Sequence, residues 1–312
     1  MSPALHAILV VVLALALDLS LGDPPNRWHP VAWIGRALAA GRRALCRGGP
    51  VALVLSGAAL TLGVMALAAG AGALVTTLAA MLGPVGLVLE AATLKSTLSL
   101  RGLAAAARSV AASLGRGDLV QARARLGLHL VSRPTAELDV AQVASGAIES
   151  VAENLTDALV APVMFFLVLG LPGALAYRAL NTADTMLGYR EGMLEYFGKI
   201  AARLDDLANL VPARLAGLTL VVVAARSAPA AWRALVRDHA RTASPNAGWT
   251  MAAMAGALGV TLDKPGAYRL GQGRPPTADD IERAIGLLAR AAALAILAEL
   301  VLSALIMKSA RW

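Results

Sequence analysis

Long apolar runs alternate with shorter polar stretches along the chain, and this alternation predicts helices that cross a membrane. About 20 apolar residues in helical form span a hydrocarbon layer about 30 Å thick. Runs of this length predict membrane segments at 3–22, 50–69, 73–92, 157–177, 207–225 and 284–307. The second and third segments belong to one long run, which we interpret as a hairpin turning near Gly70-Ala71-Gly72.

One of these segments allows two interpretations. Segment 157–177 contains Pro162, Gly170, Pro172 and Gly173, so it either crosses the membrane or forms a re-entrant loop. The number of crossings is therefore about five or six. The polar stretches 93–156 and 226–283 are predicted to be helical loops. Together these features predict an all-α, polytopic membrane protein in which residues 1–312 form a single integral membrane domain.

The composition agrees with this interpretation. Of the 312 residues, 58% are apolar and 15% are charged, whereas soluble domains are about half apolar and a quarter charged. This balance also excludes a disordered chain. The single cysteine, Cys46, excludes an internal disulfide. The formal charge of +8 suits an anionic membrane surface better than nucleic acid in so apolar a chain.

The basic residues predict an orientation. Residues 23–49 hold five Lys and Arg, 93–156 hold seven, and 226–283 hold eight. Loops rich in Lys and Arg stay in the cytoplasm, so we expect these three on the cytoplasmic side of the cell inner membrane. The stretch 178–205 also carries basic residues but lies between two predicted crossings, and its side stays open.

Three acidic residues form the most informative polar pattern. Glu149, Glu153 and Asp157 recur every four residues, which on a regular helix places them within about 80° of one another. Like charges at this spacing repel, so solvent, basic partners or a bound cation must offset them. A hard cation such as Mg²⁺ takes carboxylate oxygens and bridges to phosphates. The helix leads directly into an apolar segment, where carboxylates are costly and are often functional.

Four further polar clusters lie beside the apolar segments. They are Gly22–Pro30 with Asp23 and His29; Tyr177–Arg190 with Arg178, Asn181, Asp184 and Tyr189; Phe197–Arg214 with Arg203, Asp205, Asp206, Asn209 and Arg214; and Ser244–Trp249 with Asn246. In the last cluster, Ser244 followed by Pro245 predicts a helix start, whose open backbone N–H groups can hold a phosphate. Each cluster alone also fits an ordinary interfacial turn, helix face or helix cap.

Several motifs are absent. Leu94-Lys95-Ser96 lacks the glycine that precedes the lysine of a phosphate-binding loop. GxSxG, HExxH and CxxC do not occur, which removes support for hydrolase, metalloprotease and thiol-redox functions.

Taken together, the polar motifs follow one order along nearly the whole chain. They are Gly22-Asp23-Pro24, His29-Pro30-Val31, Leu94-Lys95-Ser96-Thr97, Arg133 with Thr135, Glu149-Ser150 with Ala152-Glu153-Asn154, Tyr177-Arg178 with Asn181-Thr182, Arg203-Leu204-Asp205-Asp206, Pro212-Ala213-Arg214 and Ser244-Pro245-Asn246. In this series the chain resembles the CobD/CbiB family, the adenosylcobinamide-phosphate synthases of cobalamin biosynthesis. The loop Thr261–Gly266 departs from the family pattern.

The resemblance implies an ATP-dependent amide-forming ligase. Members of this family join a carboxylate of adenosylcobyric acid to 1-amino-2-propanol or its O-phosphate, and the resemblance implies ATP and Mg²⁺ as cofactors. The implied partners are this corrinoid, the aminopropanol or its phosphate, the lipid bilayer and other membrane enzymes of the corrinoid pathway.

The resemblance, together with residue type, allows roles to be assigned to residues in these motifs. The catalytic candidates are Glu149, Glu153, Asn154, Asp157, Asn181 and Asp184. The substrate- and phosphate-binding candidates are Asp23, His29, Lys95, Arg101, Arg133, Arg178, Tyr189, Arg203, Arg214, Ser244 and Asn246. The Mg²⁺ candidates are Glu149, Glu153 and Asp157, with Asp205 or Asp206.

Two other classes of function remain open at this point. A transporter would explain broken helices and acids near the membrane, but it predicts polar residues at the middle of spans rather than at their ends. A non-catalytic scaffold for corrinoid enzymes would need only the basic loops, and it leaves the face with Glu149, Glu153 and Asp157 unexplained.

Overall fold

Residues 2–309 are described by the structure, a computed structural model, and most of them are helical. The helices are α1 (Pro3–Leu21), α2 (Pro30–Leu45), α3 (Pro50–Met81), α4 (Pro84–Lys95), α5 (Leu100–Gly115), α6 (Leu119–His129), α7 (Val140–Leu155), α8 (Ala161–Leu187), α9 (Leu194–Phe197), α10 (Lys199–Ala208), α11 (Leu210–Val223), α12 (Ala228–Asp238), α13 (Ala247–Leu258) and α14 (Ala278–Ser309). A π-helical turn, Thr156–Val160, follows α7. Strands β1 (Leu262–Lys264) and β2 (Tyr268–Leu270) form an antiparallel hairpin.

Proline marks the start of each of the first four helices. Pro3, Pro30, Pro50 and Pro84 occupy the first helical turn, where the missing N–H would have no helical partner and the fixed φ suits the helix. The loop before α2 adds a side-chain cap, because His29 Nδ1 accepts a hydrogen bond from the Val31 N–H at 3.2 Å. These starts follow directly from the sequence.

The chain divides into two compact units, and the single integral membrane domain stays a prediction. Among the described residues, unit 1 contains 2–99, 161–209 and 299–309, and unit 2 contains 100–160 and 210–298. Each unit is therefore built from separate stretches of chain.

Unit 1 is organised around the packing of α3 along α8. Its core joins Leu53 and Val64 of α3 with Leu175 and Leu187 of α8 and with Phe197. The helix backbones come close where α3 has glycine. A Cβ atom on Gly72 would lie 2.7 Å from the backbone nitrogen of Pro172. Small residues allow this close helix contact in membrane proteins.

The predicted turn near Gly70-Ala71-Gly72 is wrong. Helix α3 runs without interruption from Pro50 to Met81, and the chain turns later, at Gly83, where φ is +57°. The physical reason is the role of Gly72, which serves helix packing rather than a turn. The run predicted to contain two crossings therefore contains one long helix followed by the twelve-residue α4.

Unit 2 surrounds α7, most of whose side chains are buried. The helix begins with a capping box in which Asp139 and Gln142 bond to each other's backbone. Helices α5, α6 and α13 pack against it, as does strand β1. The polar loops of this unit are largely helical, as the sequence predicts.

The prediction of an all-α, polytopic membrane protein is confirmed. Four helical segments are long and apolar enough to cross a membrane: Pro3–Leu21, Pro50–Met81, Val140–Leu187 and Ala278–Ile306. The pair Lys199–Ala208 and Leu210–Val223, interrupted at Asn209, makes a fifth if it forms one broken span. The count is four or five rather than five or six because the predicted hairpin is a single helix.

The segment predicted at 157–177 lies inside one of these long helical stretches. It begins in the π-helical turn and continues into α8, which is broken at Gly170, where φ is +68°. Pro172 lies inside α8 just after the break. The proline and glycine residues thus interrupt the helix without ending it.

Glu299 is a buried acid in the membrane segment formed by α14, and replacing it tests the cost of burying its side chain. Its side chain is 5% exposed, and neither carboxylate oxygen has a hydrogen-bond partner in the described part of the chain. Leaving a polar group buried without a partner costs about 1–3 kcal/mol. We expect Glu299→Leu to stabilise the protein by about this amount, measured as a higher unfolding midpoint in detergent.

The control for this substitution lies on the same helix. Glu282 is exposed and forms a surface ion pair with Arg108 at 3.4 Å, so Glu282→Leu should change the midpoint little, because such pairs contribute about 0–1 kcal/mol. A lower midpoint for Glu299→Leu would mean that the carboxylate has a stabilising partner, which would contradict this account.

Candidate functional site

Glu149 is the centre of a buried polar cluster in unit 2. The residue lies on α7 and is 6% exposed. The Ser145 hydroxyl donates to its Oε1 at 2.7 Å, while the Tyr268 hydroxyl and Arg133 Nη2 donate to its Oε2 at 3.1 and 3.4 Å. Three donors, one of them charged, offset the cost of burying this carboxylate. The predicted candidates Glu149 and Arg133 are thus brought together.

Tyr268 reaches this cluster from the β-hairpin. The hairpin is tied to α7 because the Asp263 backbone N–H donates to Ser145 Oγ at 2.7 Å. Burial, followed by the neighbouring charges of Glu149 and Glu153, raises the pKa of the Tyr268 hydroxyl well above its usual range. Tyr268 therefore stays neutral over the whole physiological pH range, and its hydroxyl donates a hydrogen bond to Glu149.

The other two acids of the predicted face differ from Glu149. Glu153 is exposed and Asp157 is half-buried. The regular helix ends at Leu155, and Asp157 lies in the π-helical turn. The regular α-helical spacing therefore joins Glu149 to Glu153 and does not continue to Asp157, and a shared face of all three acids stays a prediction.

The geometry does not support the predicted metal role. Among the residues that the structure describes, no group of three or more His, Cys, Asp or Glu side chains is arranged to hold a metal ion. The oxygens of Glu149 are already engaged by three donors. The arrangement does not fit Mg²⁺ held by Glu149, Glu153 and Asp157 together, and a metal role for Asp205 or Asp206 stays a prediction.

A second predicted pair in unit 2 is Arg214 with Asn246. Arg214 Nη1 donates to Asn246 Oδ1 and to the Leu210 carbonyl, both at 2.8 Å, and its guanidinium lies 4.8 Å from the centre of the Trp249 ring. Arg214 is therefore held rigidly by three groups. We interpret it as a positioned cation rather than a mobile surface side chain.

The predicted helix start at Ser244 is displaced. Helix α13 begins at Ala247 with Asn246 as its N-cap, so Pro245 does not occupy the first helical position. The Ser244 hydroxyl accepts from the Asn246 N–H at 3.2 Å, and Thr242 Oγ1 accepts from the Gly248 N–H at 3.1 Å. The open N–H groups expected to hold a phosphate are therefore partly used by these side chains.

In unit 1, the predicted residues Asp23, His29 and Lys95 form one cluster. Lys95 Nζ donates to Asp23 Oδ1, the Ser99 hydroxyl donates to Asp23 Oδ2 at 3.2 Å, and His29 Nε2 lies 3.5 Å from Oδ1. The interaction with His29, against the opposing effect of burial, and that with Lys95 hold the pKa of Asp23 well below its usual range. Asp23 fixes the loop between α1 and α2.

This cluster gives a pH prediction. Because the pKa of Asp23 is lower in the folded protein than in the unfolded chain, its stabilising contribution is complete above the usual titration range of aspartate. The contribution starts to decrease as the pH enters that range and is lost as the pH falls through the lowered pKa of the folded state. We expect Asp23→Asn to lower the unfolding midpoint at pH 7, with a difference from wild type that shrinks toward pH 3. A difference that grows on acidification would contradict this assignment.

A second cluster in unit 1 lies on α8 and α10. Asp205 is buried, and its oxygens accept from Asn181 Nδ2 at 3.5 Å and Asn209 Nδ2 at 2.9 Å. Arg178 Nη1 donates to Asn181 Oδ1 at 3.1 Å, and the Tyr177 hydroxyl donates to Asn209 Oδ1 at 2.9 Å. The predicted residues Arg178, Asn181 and Asp205 are therefore joined in one network.

Tyr189, Arg203 and Asp206 line a pocket of about 160 Å³ in the same unit. Asp184 lies close by, because a Cβ atom on Gly188 would clash with Asp184 Oδ1. The two remaining predicted residues belong to unit 2. Arg101 is exposed, and Asn154 Nδ2 donates to the Ser150 carbonyl at 2.9 Å within α7.

Four residues in the two clusters around Glu149 and Asp205 were not predicted as site residues. Tyr268 and Ser145 complete the cluster around Glu149, and Tyr177 and Asn209 complete the network around Asp205. Ser145 precedes Glu149 by four residues, so helical spacing signals that contact. Tyr268 is far away in sequence, and no spacing rule identifies it.

Comparison with known proteins places this chain in a family. The profile of the CobD/Cbib protein family matches residues 11–292. The chain is 42% identical to the cobalamin biosynthesis protein CobD of Dehalococcoides mccartyi (strain CBDB1), over 86% of this chain and 87% of that protein. It is 41% identical to the cobalamin biosynthesis protein CobD of Chromobacterium violaceum, over 96% of this chain and 99% of that protein. No solved structure matches the chain. The chain belongs to the CobD/CbiB protein family.

Proposed function

We propose that this protein acts in cobalamin biosynthesis and forms an amide bond between a carboxylate of adenosylcobyric acid and (R)-1-amino-2-propanol or its O-phosphate. Family membership supports the pathway. The polar group on α7, in which exposed Glu153 lies beside the anchored Glu149, is the observation that supports a reaction at this point. Carboxylates next to an apolar membrane segment cost free energy and are usually functional.

The reaction needs an activated carboxyl group and a neutral amine. A carboxylate is a poor acylating agent, so we propose that ATP transfers its terminal phosphate to the carboxylate and leaves as ADP. The neutral amine then attacks the acyl carbon, the C–O bond to phosphate breaks, and the nitrogen loses one proton as the amide forms. ATP and Mg²⁺ are inferred from the family resemblance, and no step is assigned to a metal ion, because Glu149, Glu153 and Asp157 together do not fit one.

Glu153 is the best candidate for taking that proton. It is exposed, and it lies near enough to Tyr268 to affect the pKa of its hydroxyl. A carboxylate within reach of the amine can act as a general base. Glu149, by contrast, positions its neighbours, because it holds Arg133, Ser145 and Tyr268. In this proposal Arg133 attracts the anionic substrate group, for which a guanidinium is well suited.

The test is reconstitution of the reaction. The protein, purified in detergent, would be supplied with adenosylcobyric acid, aminopropanol or its phosphate, ATP and Mg²⁺, and corrinoid products would be separated by chromatography. Product that depends on protein, amine and ATP is the expected result. No product, under conditions in which an active homologue forms it, would contradict the proposal.

The cellular setting is also a proposal. The several apolar helices make this a multi-pass membrane protein, and we propose that it lies in the inner membrane with its basic loops in the cytoplasm. There it would meet its corrinoid substrate and other membrane enzymes of the pathway.

Two interruptions in the helices favour a different class of function. The break in α8 at Gly170 and the interruption between α10 and α11 at Asn209 are typical of transporters, which use discontinuous helices at their binding sites. Transport requires two compartments, whereas ligation does not. Amide product formed by the detergent-solubilised protein would exclude transport as the only activity.

A further inference from the structure

Helix α12 in unit 2 has a packed side and an exposed side. The packed side lies on α13, where a Cβ atom on Gly256 would lie 2.6 Å from the Ala230 carbonyl oxygen. Ala231, Ala234 and Leu235 are buried on this side. Packing within the unit therefore determines the residues of one side of α12 and leaves those of the other side to be explained.

Apolar and basic residues form two separate rows on the exposed side. Trp232 and Val236 are four residues apart and are 48% and 52% exposed, so they lie one above the other on the helix. Arg233 and Arg237 form a second exposed row beside them, and Arg226 is exposed in the turn before the helix. We call these five residues the α12 face. An apolar row beside a basic row is typical of helices that lie at a membrane surface.

The α12 face carries a net positive charge. The stretch 225–241 holds four arginines and one acid, Asp238. Asp238 is fully buried and pairs with Arg237 and Arg241. Within residues 2–309, neither Arg226 nor Arg233 forms an ion pair. Both guanidinium groups are therefore available to an anion outside the chain.

The position of α12 in the chain favours a lipid surface as the source of that anion. Helix α11, the second half of the fifth candidate span, ends at Val223, and α12 begins at Ala228. Val222 in the last turn of α11 is exposed, as Trp232 is. Tryptophan places its ring at the level of the lipid headgroups, and arginine binds phosphate oxygens in a bidentate manner. A nucleic acid would explain the arginines but not the apolar row.

We propose that the α12 face docks on the headgroup layer of the membrane and gathers anionic phospholipids there. Trp232 and Val236 lie at the boundary of the acyl chains, and Arg226 and Arg233 bind lipid phosphates. The preferred lipid carries a net negative charge, as phosphatidylglycerol does, because the choline group of phosphatidylcholine cancels the charge of its phosphate. This contact does not depend on the reaction proposed above.

Quenching by brominated lipids tests the contact, because bromine quenches a fluorophore only at short range. The full-length protein, in nanodiscs of phosphatidylcholine and phosphatidylglycerol in equal amounts, carries a bimane label on Val236→Cys in a Cys46→Ser background. One lipid is brominated at a time. We expect brominated phosphatidylglycerol to quench about fivefold more strongly than brominated phosphatidylcholine, the factor that one arginine contributes at an anionic surface.

Two pairs of substitutions make the result specific. Arg226→Gln combined with Arg233→Gln should remove the preference, so that both brominated lipids quench equally. Arg108→Gln combined with Arg116→Gln removes the same charge from two other exposed arginines of unit 2 and should leave the preference unchanged. High salt should weaken the preference of the parent protein, because it screens exposed charges.

Three outcomes would overturn the proposal. Equal quenching by the two lipids in the parent protein would exclude a preference for anionic lipid. No quenching by either lipid would exclude lipid as the partner and leave the face to a soluble acidic one. An equal loss of preference in both double variants would mean that the total charge of the protein attracts the lipid. Size-exclusion chromatography identifies variants that fail to fold, and Arg233→Gln alone keeps the test valid if the double variant does.

Discussion

Glu153→Gln is expected to reduce amide formation by about 10²–10⁴-fold, the range typical for loss of a general base. Glutamine keeps the size of the side chain but does not accept a proton at neutral pH. Since Glu153 is exposed on α7, its replacement should leave the folded protein intact. The measurement is the initial rate of corrinoid product formation, with the unfolding midpoint of each preparation recorded alongside it.

Two further variants make this result specific. Glu137→Gln alters an exposed carboxylate of the same unit and should retain full activity. Glu149→Gln should instead lower the unfolding midpoint, because an amide cannot accept from Ser145, Tyr268 and Arg133 as a carboxylate does. Full activity of Glu153→Gln would remove Glu153 from the reaction. Loss of folded protein in this variant would show that the residue is structural.

The cluster around Glu149 illustrates how far the sequence predicts the site. Acids that recur every four residues next to an apolar segment identify Glu149 and Glu153 without a structure. Arg133 follows from the resemblance and from its residue type. Tyr268 does not follow, because the fold of the hairpin alone brings it to α7, through the bond between Asp263 and Ser145. Contacts between residues that are distant in sequence can be identified only when the fold is known.

The errors in the fold have a similar cause. The start of α3 follows from Pro50, whose effect on the backbone is local. Glycine is ambiguous in sequence, since it serves both turns and close helix packing, and Gly72 serves the second. The π-helical turn that contains Asp157 was also not predicted, because residue spacing alone carries no signal for it.

The close contact of α3 predicts the largest effect on stability. A Cβ atom on Gly57 would lie 1.8 Å from the carbonyl oxygen of Phe197, which is fully buried. The obstacle is backbone, so it does not move aside as a flexible side chain does. Overpacking costs about 1–3 kcal/mol in well-packed cores, and we expect Gly57→Ala to reach the upper end of this range, with Gly57→Leu preventing folding.

Gly63 in the same helix provides the matched control, because no atom lies within 4 Å of a Cβ added there. Alanine favours the helix over glycine by about 0.5–1 kcal/mol, so Gly63→Ala should leave the unfolding midpoint unchanged or raise it slightly. The two substitutions add the same methyl group to one helix, and only the opposing surface differs. Equal midpoints for both variants would mean that α3 does not approach Phe197 as closely as described, and the packing of unit 1 would need revision.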